Sequence, residues 1–300
     1  MRKFAKSLVI AAIIPLWTPG PANAQKLKVY ISVDMEGIAG VASDQQLGPA
    51  GFEYARFREF MTAEALAAIA GAKEAGATEI LVSDSHGNMQ NLLIERFPAD
   101  VQIVRSTPRP LSMMQGIDST FDAAIFIGYH SGTANPQGVR AHTMSSARFA
   151  GIDLNGAPAA ESRVNAAIAG YYGVPVVLIS GDDIATAELK AVLGDVETAT
   201  VKRAIGFHST ITSTPEAAQT LIRARTKAAL ERRASFKPYK LTSPVRLDVT
   251  FKSYRPAEIL SYLPIVERTT SHAIRYNGRN MIDVMRFLVF VGNYSVELEP

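Results

Sequence analysis

The feature that most constrains the fold is the segment at residues 28–37, KVYISVDMEG, where an apolar run stops at two carboxylates and a glycine. The residues from Val29 to Val33 are mostly β-branched and apolar, which predicts a buried strand. Asp34 and Glu36 lie two residues apart, so on an extended chain their side chains project from the same side. Ligands bind at the carboxyl edge of the sheet in open α/β proteins. The two acids are therefore candidates for a metal site or an acid/base pair, and a solvated acidic turn is the alternative.

A helix and a second strand follow at the spacing of a βαβ unit. Residues 53–75 carry apolar side chains at helical intervals, and residues 79–83 form an apolar strand that runs into Asp84-Ser85-His86. The strands of such a unit are parallel and end at the same edge of the sheet. Further strands are predicted at residues 101–104, 121–128 and 174–180, an extended segment at 197–204, and helices at 161–172, 185–193 and 215–233. The predicted fold class is α/β, with a three-layer domain built on a mainly parallel sheet.

The chain divides near residue 240, where it becomes polar and contains proline. We assign residues 25–240 to a metal-binding catalytic α/β domain and residues 241–300 to a smaller C-terminal α/β portion. This portion reads as a strand at 245–251, a helix at 256–263, a strand at 266–276 and a helix at 281–294. Within the first domain, Asn155-Gly156 is a strong hairpin signal.

The first 24 residues have the pattern of a signal peptide. A basic start precedes a short apolar core at residues 8–17, and Ala22-Asn23-Ala24 forms a small-x-small cleavage site. The core is too short for a transmembrane helix, and an uncleaved amphipathic anchor is the alternative. We therefore expect an exported protein, periplasmic or secreted, with no stable membrane anchor after cleavage.

Charge and cysteine content narrow the possible partners and ligands. The leader contains three basic and no acidic residues, so its removal takes the formal net charge from +3 to 0. A nucleic-acid partner, which requires a basic surface, is therefore not expected. The absence of cysteine rules out disulfides, thiolate zinc sites and a cysteine nucleophile. Any bound metal must be held by His, Asp or Glu.

Three predicted strands end in a candidate metal ligand. Asp34 and Glu36 follow the first, His86 the second and His130 a later one, and Glu161 begins a helix that packs on the same sheet. Two imidazoles with three carboxylates suit Zn²⁺, and suit Mn²⁺ or Co²⁺ less well. Five such ligands, with one carboxylate free to bridge, would hold two metal ions about 3.5–4 Å apart and supply hydroxide near neutral pH. The alternative for each histidine is a loop residue that bonds the backbone.

Other polar residues are assigned structural roles. His208 and His272 lack acidic neighbours, so we interpret them as structural. Asp182 and Asp183 end another strand, and we favour a cap on the following helix over a role in orienting a ligand histidine.

Two further segments leave alternatives open. Arg140 and Arg148 lie near His142 and are either partners for a substrate carboxylate or surface cations. The Met-rich segment at residues 110–116 is predicted to form a short helix or a lid, and neighbouring methionines are more often core residues than ligands.

The ordered motifs resemble those of the D-aminopeptidases of the DppA type, which form the M55 metallopeptidase family. The resemblance runs from about residue 28 to the end of the chain and is densest between residues 28 and 185. The blocks that carry it are SVDMEG at 32–37, SDSH at 83–86, GYH at 128–130, HTM at 142–144, Glu161-x-x-x-Asn165 and AGYYGVPV at 169–176 followed by GDD at 181–183. It implies a two-domain α/β zinc metallopeptidase, assembled as a ring-shaped homodecamer, that removes N-terminal D-residues such as D-Ala from short peptides.

The resemblance also implies roles for individual residues. Asp34 resembles the carboxylate that bridges two zinc ions. The other ligands then fall into two pairs, Glu36 with His86 and His130 with Glu161.

The same resemblance implies that His142 is the catalytic histidine, which stabilises the oxyanion or passes a proton to the leaving amine. Typical members of the family are cytoplasmic, whereas this chain carries an export signal. Two other functions compete with the peptidase: a periplasmic peptide- or solute-binding protein without catalysis, and another dinuclear metal hydrolase such as a phosphoesterase. The phosphoesterase ranks lower because the sequence lacks a phosphate-cradling Gly-rich loop.

Overall fold

The structure is a computed structural model that describes Met1 and residues 26–293. Apart from Met1, the predicted signal peptide lies outside the described residues. Within the part of the chain that is described, no helix combines the length and the apolar character needed to cross a membrane.

The described residues form twelve strands and six α-helices. The strands are β1 (Leu27–Val33), β2 (Ala77–Asp84), β3 (Val101–Val104), β4 (Ala123–Tyr129), β5 (Phe149–Leu154), β6 (Ala157–Pro158), β7 (Val176–Asp182), β8 (Glu197–Gly206), β9 (Ser209–Thr212), β10 (Val245–Phe251), β11 (Val266–Arg268) and β12 (Ala273–Gly278). The helices are α1 (Tyr54–Glu74), α2 (Glu161–Tyr171), α3 (Asp183–Leu193), α4 (Pro215–Glu231), α5 (Tyr254–Leu260) and α6 (Met281–Asn293).

The main sheet has seven strands in the order β3-β2-β1-β4-β7-β8-β9. All neighbouring pairs are parallel except β8 and β9, which are antiparallel. Along the chain, β2 and β3 are added to one side of β1, and β4, β7 and β8 are then added to its other side. The point where the order reverses therefore lies between β1 and β4, which is where open α/β sheets bind their ligands.

Successive side chains of the central strands point to opposite faces of the main sheet and pack into two separate hydrophobic cores. Val29, Ile31 and Val33 of β1 face one side of the sheet, where they pack in a core shared with α1 and α4. Tyr30 faces the other side, where the core includes α2 and the second sheet. This layering, together with the mainly parallel sheet, confirms the predicted α/β fold class.

The second sheet is antiparallel and has five strands in the order β11-β12-β10-β5-β6. The hairpin predicted at Asn155-Gly156 is confirmed, since it joins β5 to β6. This sheet takes β5 and β6 from before residue 240 and its other three strands from after it, so strand pairing crosses the predicted boundary. The division into two domains at that residue stays a prediction.

Most predicted elements are confirmed within a few residues, but one strand is wrong. The segment predicted as a single strand at residues 266–276 is two antiparallel strands, β11 and β12. Polar residues at 269–272, with the sequence TTSH, form the turn between them, and short polar side chains favour such turns. The Met-rich segment contains a single 3₁₀ turn at Ser112–Met114.

Candidate metal centre

The candidate ligands meet at the carboxyl ends of three neighbouring strands. Asp34 and Glu36 follow β1, His86 follows β2 and His130 follows β4. Glu161 is the first residue of α2, and all five side chains are buried. The structure thus brings together every metal ligand that the sequence predicts.

A glycine allows the chain to turn between the two carboxylates and the end of β4. The Gly37 N–H donates to the Gly128 carbonyl over 2.7 Å. A Cβ at residue 37 would lie 2.0 Å from the Tyr129 carbonyl oxygen, which is far inside van der Waals contact. Only glycine therefore permits this approach of the loop to β4.

The carboxylate of Asp34 faces two separate groups of side chains. Its Oδ1 is 3.4 Å from Nδ1 of His86, and its Oδ2 is 3.4 Å from Nε2 of His130. His86 Nδ1 also lies 2.8 Å from Glu36 Oε2, whereas His130 Nε2 lies 3.5 Å from Glu161 Oε1. Asp34, Glu36 and His86 therefore form one potential metal-binding group, and Asp34, His130 and Glu161 form another. Asp34 is common to both.

Backbone carbonyls orient both imidazoles toward the centre. Nε2 of His86 bonds the Leu47 carbonyl over 2.7 Å, and Nδ1 of His130 bonds the Ser131 carbonyl over 2.9 Å. A carbonyl only accepts, so each of these ring nitrogens carries the hydrogen. The opposite nitrogen of each neutral ring then presents a lone pair to the carboxylates, which is the usual orientation of a metal-binding histidine.

Two buried atoms at the centre have no hydrogen-bond partner. They are Asp34 Oδ2 and His130 Nε2, which face each other. Buried polar atoms are almost always paired, so unpaired atoms that converge need another explanation. A metal ion would satisfy both atoms, and the mixed nitrogen and oxygen donors are those that zinc binds. The residues present therefore fit the metal that the resemblance implies.

The charges in the centre perturb each other strongly. Burial and the neighbouring Glu36 raise the pKa of Asp34 well above its ordinary value. Burial alone would lower the pKa of His130, but Glu161 and Asp34 outweigh it and raise this pKa to about 10. For Glu161, burial is likewise outweighed by His130, and the pKa of the carboxyl is lowered. Metal ions bind by displacing such shared protons.

His142 lies beside the two groups, and with Glu36 and His130 it forms a third set of side chains close enough to hold a metal. Its ring stacks on His130 with 4.1 Å between the ring centroids, and its Nε2 lies 3.6 Å from Oε1 of Glu161. Nδ1 of His142 donates to the Arg140 carbonyl over 2.8 Å, which leaves the Nε2 lone pair facing the centre. Burial and the charge of His130 lower the pKa of His142, so its neutral form is favoured.

A small cavity of about 130 Å³ opens onto these groups. Besides the predicted residues, it is lined by side chains from loops that are far apart in the sequence, among them Ser112, Met89, Met113 and Met144. Sequence reasoning predicted a short helix or a lid at residues 110–116 but did not assign these side chains to the site, because neighbouring methionines are more often core residues. Met89, Ser112 and Met144 have positive φ angles of 58°, 45° and 62°, and such backbone conformations cluster at functional sites.

The remaining polar residues have structural partners. Asp182 caps α3 by accepting from the Ala185 N–H over 2.8 Å, which confirms the predicted cap. The side chain of Arg140 pairs with Asp44, and that of Arg148 donates to the Gly292 carbonyl. Among the described residues, the clusters able to hold a metal do not include His208 or His272.

Known proteins are similar to this chain in both sequence and fold. Residues 27–290 match the Peptidase M55 family, which is described as D-aminopeptidase. A D-aminopeptidase of Bacillus subtilis (strain 168) is 35% identical over 269 residues, which cover 88% of this chain and 96% of that protein. The solved structure described as "Zn-dependent D-aminopeptidase DppA from Bacillus subtilis, a self-compartmentalizing protease" aligns with a TM-score of 0.85 at 33% identity. That alignment covers 91% of this chain and 100% of the other.

The family match extends over almost all of the described residues, and the similar solved structure has the same fold over its full length. The resemblance inferred from the motifs is thereby confirmed, and this chain belongs to the Peptidase M55 family of D-aminopeptidases.

Proposed function

We propose that this protein is a zinc aminopeptidase that hydrolyses short peptides and releases N-terminal D-amino acids such as D-Ala, with two zinc ions per chain. The observation that carries the proposal is the division of the Asp34 carboxylate between two ligand groups, with one oxygen directed at each. The names of the related proteins support the reaction and the metal.

Asp34 would bridge the two ions, with Glu36 and His86 completing one site and His130 and Glu161 the other. When bound, zinc ions supply Lewis-acid polarisation of a carbonyl and lower the pKa of water to near neutrality. The chain contributes the fixed orientation of the ligands, because both imidazoles are held by backbone carbonyls. It also excludes bulk water, since all five ligands are buried.

His142 would transfer a proton during the reaction. Its Nδ1 is committed to the Arg140 carbonyl, so proton exchange takes place at Nε2. In the neutral form Nε2 accepts a proton, and in the protonated form it passes the proton to the leaving amine or stabilises the oxyanion by a hydrogen bond. The ring of His142 stacks on that of His130, which holds Nε2 of His142 toward the centre.

The cavity and the assembly would both restrict the substrate. A space of about 130 Å³ beside the ligands suits a small residue at the cleavage site. The related structure is described as self-compartmentalizing, and we propose that this chain forms a homo-oligomer, a ring-shaped decamer by family resemblance. The exposed apolar residues Tyr254, Tyr262 and Ile265, near one edge of the second sheet, offer surface for such contacts.

The central experiment joins metal analysis to a stereochemical comparison. Purified protein is assayed for zinc and then incubated with D-Ala-D-Ala and L-Ala-L-Ala, with His142→Ala as the inactive control. We expect about two zinc ions per chain and faster release of alanine from the D-dipeptide. Peptide binding without turnover would instead indicate a binding protein. Phosphatase activity with inert D-peptides would indicate another metal hydrolase.

Export is a separate proposal with its own test. The leader pattern supports cleavage after Ala24 and a periplasmic or secreted location. Mass spectrometry of the protein isolated from the periplasm or the medium of its expressing cells should find Gln25 at the N-terminus. A full-length chain confined to the cytosol contradicts the proposal.

A further inference from the structure

The loop that follows β1, residues 34–47, contacts most of the candidate centre. It supplies Asp34 and Glu36, and the carbonyl of Leu47 orients His86. The loop also reaches His142 indirectly, because Asp44 pairs with the side chain of Arg140, whose carbonyl binds the His142 ring.

His130 and Glu161 are bonded outside this loop, by the Ser131 carbonyl and the Met144 N–H, and the loop reaches them only through Asp34. Asp34 itself is held at the end of β1, where its N–H donates to a carbonyl of β4 over 2.8 Å. A change in the position of the loop would therefore act mainly on the group formed by Glu36 and His86.

The side chain of a buried lysine forms hydrogen bonds with this loop. Lys202 lies on β8 and is 3% exposed, and it is the only buried lysine among the described residues. Its Nζ donates to three loop carbonyls: that of Glu36, that of Ile38 over 3.1 Å and that of Val41 over 2.7 Å. The three N–H bonds of one ammonium are thus all directed at a single turn of the chain.

Neighbouring groups reinforce this anchor. The Ala39 N–H donates to Oε1 of Glu64 over 2.9 Å, and the Gly40 N–H donates to Oγ1 of Thr212 over 2.7 Å. Burial lowers the pKa of Lys202 to about 8, and the neighbouring carboxylates of Asp182 and Glu64 oppose this shift. A buried ammonium is costly unless it is fully bonded, and here each of its three N–H groups has a carbonyl acceptor.

We propose that Lys202 is a positioning residue for the metal centre, which fixes the 34–47 loop so that Glu36 and the Leu47 carbonyl hold one of the two metal sites in shape. This inference rests on the proposed zinc function. Lys202 does not touch the metal-facing atoms, since its partner in Glu36 is the backbone carbonyl.

Removing the ammonium leaves the Glu36 and Val41 carbonyls without this donor, whereas the Ile38 carbonyl keeps its bond from the Val41 N–H. The N–H groups of Ala39 and Gly40 still hold the loop, which can then shift at Glu36.

The chain contains no cysteine, which permits a closely matched test. Lys202→Cys is unfolded, alkylated with either bromoethylamine or 1-iodopropane, and refolded with zinc. The two products differ only in an ammonium or a methyl group at the end of a side chain of lysine length. Wild-type protein passes through the same steps as the control, and circular dichroism checks refolding.

Zinc retention is then measured against increasing concentrations of a chelator. We expect the aminoethyl protein to match wild type, and the propyl protein to lose one zinc ion per chain at about 10- to 100-fold lower chelator concentration. The second ion should be retained, because His130 and Glu161 lie outside the loop and Asp34 is held at the end of β1 by the bond of its N–H to the Ile127 carbonyl over 2.8 Å. A general loss of structure would release both ions together and would overturn the inference, as would equal retention by the two alkylated proteins.

Two further comparisons keep the result decisive. If neither alkylated protein refolds, Lys202→Met and the exposed control Lys190→Met are prepared without refolding, and wild-type zinc retention in Lys202→Met overturns the inference. Absence of zinc from wild type contradicts the proposed function itself. If wild type binds two zinc ions and the Lys202 variant retains zinc as well as wild type does, only the role of Lys202 is contradicted.

Discussion

At the scale of single residues, Asp34 and Glu36 have different positions although both end the same strand. Asp34 directs one oxygen at each ligand group, whereas Glu36 makes its closest contact, 2.8 Å, with His86 and lies 4.0 Å from Nε2 of His142. Loss of the Asp34 carboxylate should therefore weaken metal binding at both sites. Loss of the Glu36 carboxylate should weaken it mainly at the site that contains His86.

We predict that Asp34→Asn empties both zinc sites and that Glu36→Gln leaves about one ion per chain. The physical reason is that Asp34 directs one oxygen at His86 and the other at His130, whereas Glu36 has its close contact with His86. Zinc content after gel filtration, measured by elemental analysis, checks the difference. The exposed Glu59→Gln serves as control and should keep the wild-type content. Equal zinc loss in the two site variants would contradict the bridging role.

Glu64 is a second residue whose environment predicts a measurable effect. It is buried on α1, and its Oε1 accepts from the Ala39 N–H. Burial raises the pKa of Glu64 from 4.5 to about 7. Below pH 4.5 the carboxyl is protonated in both the folded and the unfolded chain. Between pH 4.5 and 7 the folded chain keeps a proton that the unfolded chain loses, so the free energy of unfolding falls as pH rises.

Glu64→Gln should remove this pH dependence, because the amide does not titrate. The free energy of unfolding of the variant relative to wild type should increase from pH 4.5 to 8 by on the order of 3 kcal/mol. Urea denaturation of both proteins at these pH values, with zinc in excess, measures the change. Glu59→Gln on the exposed face of α1 is the matched control. A difference that is the same at both pH values would show that Glu64 has an ordinary pKa.

At the scale of elements, the site depends on how closely the end of β1 approaches the end of β4. The contact is made by backbone on both sides, with Gly37 against Gly128 and Tyr129. Backbone cannot move aside as a flexible side chain does. The glycine is therefore a requirement of the strand arrangement rather than of the metal.

Gly37→Ala should destabilise the protein by about 2–3 kcal/mol, because the added methyl group overlaps the Tyr129 carbonyl and forces the strand ends apart. Zinc retention should fall with it, since both carboxylates lie beside the displaced turn. Gly48→Ala is the control, because a Cβ there meets no atom within 4 Å. Denaturation midpoints and chelator titrations of the two variants test this. A Gly37→Ala protein as stable as Gly48→Ala would show that the turn yields easily.

At the scale of the whole molecule, the centre joins segments that are distant in the chain. The ends of β1, β2 and β4 and the start of α2 each contribute ligands, and α2 follows a hairpin of the second sheet. A metal bound by all of them would tie the main sheet to the helix layer that packs on it. Binding to the folded chain alone stabilises it by mass action.

We predict that zinc removal lowers the thermal unfolding midpoint by about 5–10 °C, which corresponds to about 3 kcal/mol for a chain of this size. Scanning calorimetry before and after dialysis against a chelator measures the shift, and added zinc should restore it. Asp34→Asn should show no response to zinc. An identical unfolding midpoint of wild type with and without zinc would mean that these ligands do not stabilise the folded chain by binding the metal together.

Much of this protein was predictable from local sequence. The strand ending at Asp34 and Glu36, the helix that starts at Glu161 and the cap formed by Asp182 follow from periodicity and turn chemistry, which depend on neighbours in the chain. The recurrence of ligand residues after β1, β2 and β4 also predicted that the five ligands meet, because parallel strands end at one edge.

Tertiary structure alone decided the contacts between remote segments. The pairing of β5 with β10, the methionines around the cavity and the bonds from Lys202 to the 34–47 loop join residues that no local pattern relates. A lysine on a strand predicts solvent exposure, but Lys202 is buried and its Nζ bonds carbonyls of a loop more than 160 positions away in the sequence. Local sequence therefore determined which residues can act, whereas long-range packing decided which carbonyl, ring or charge each of them meets.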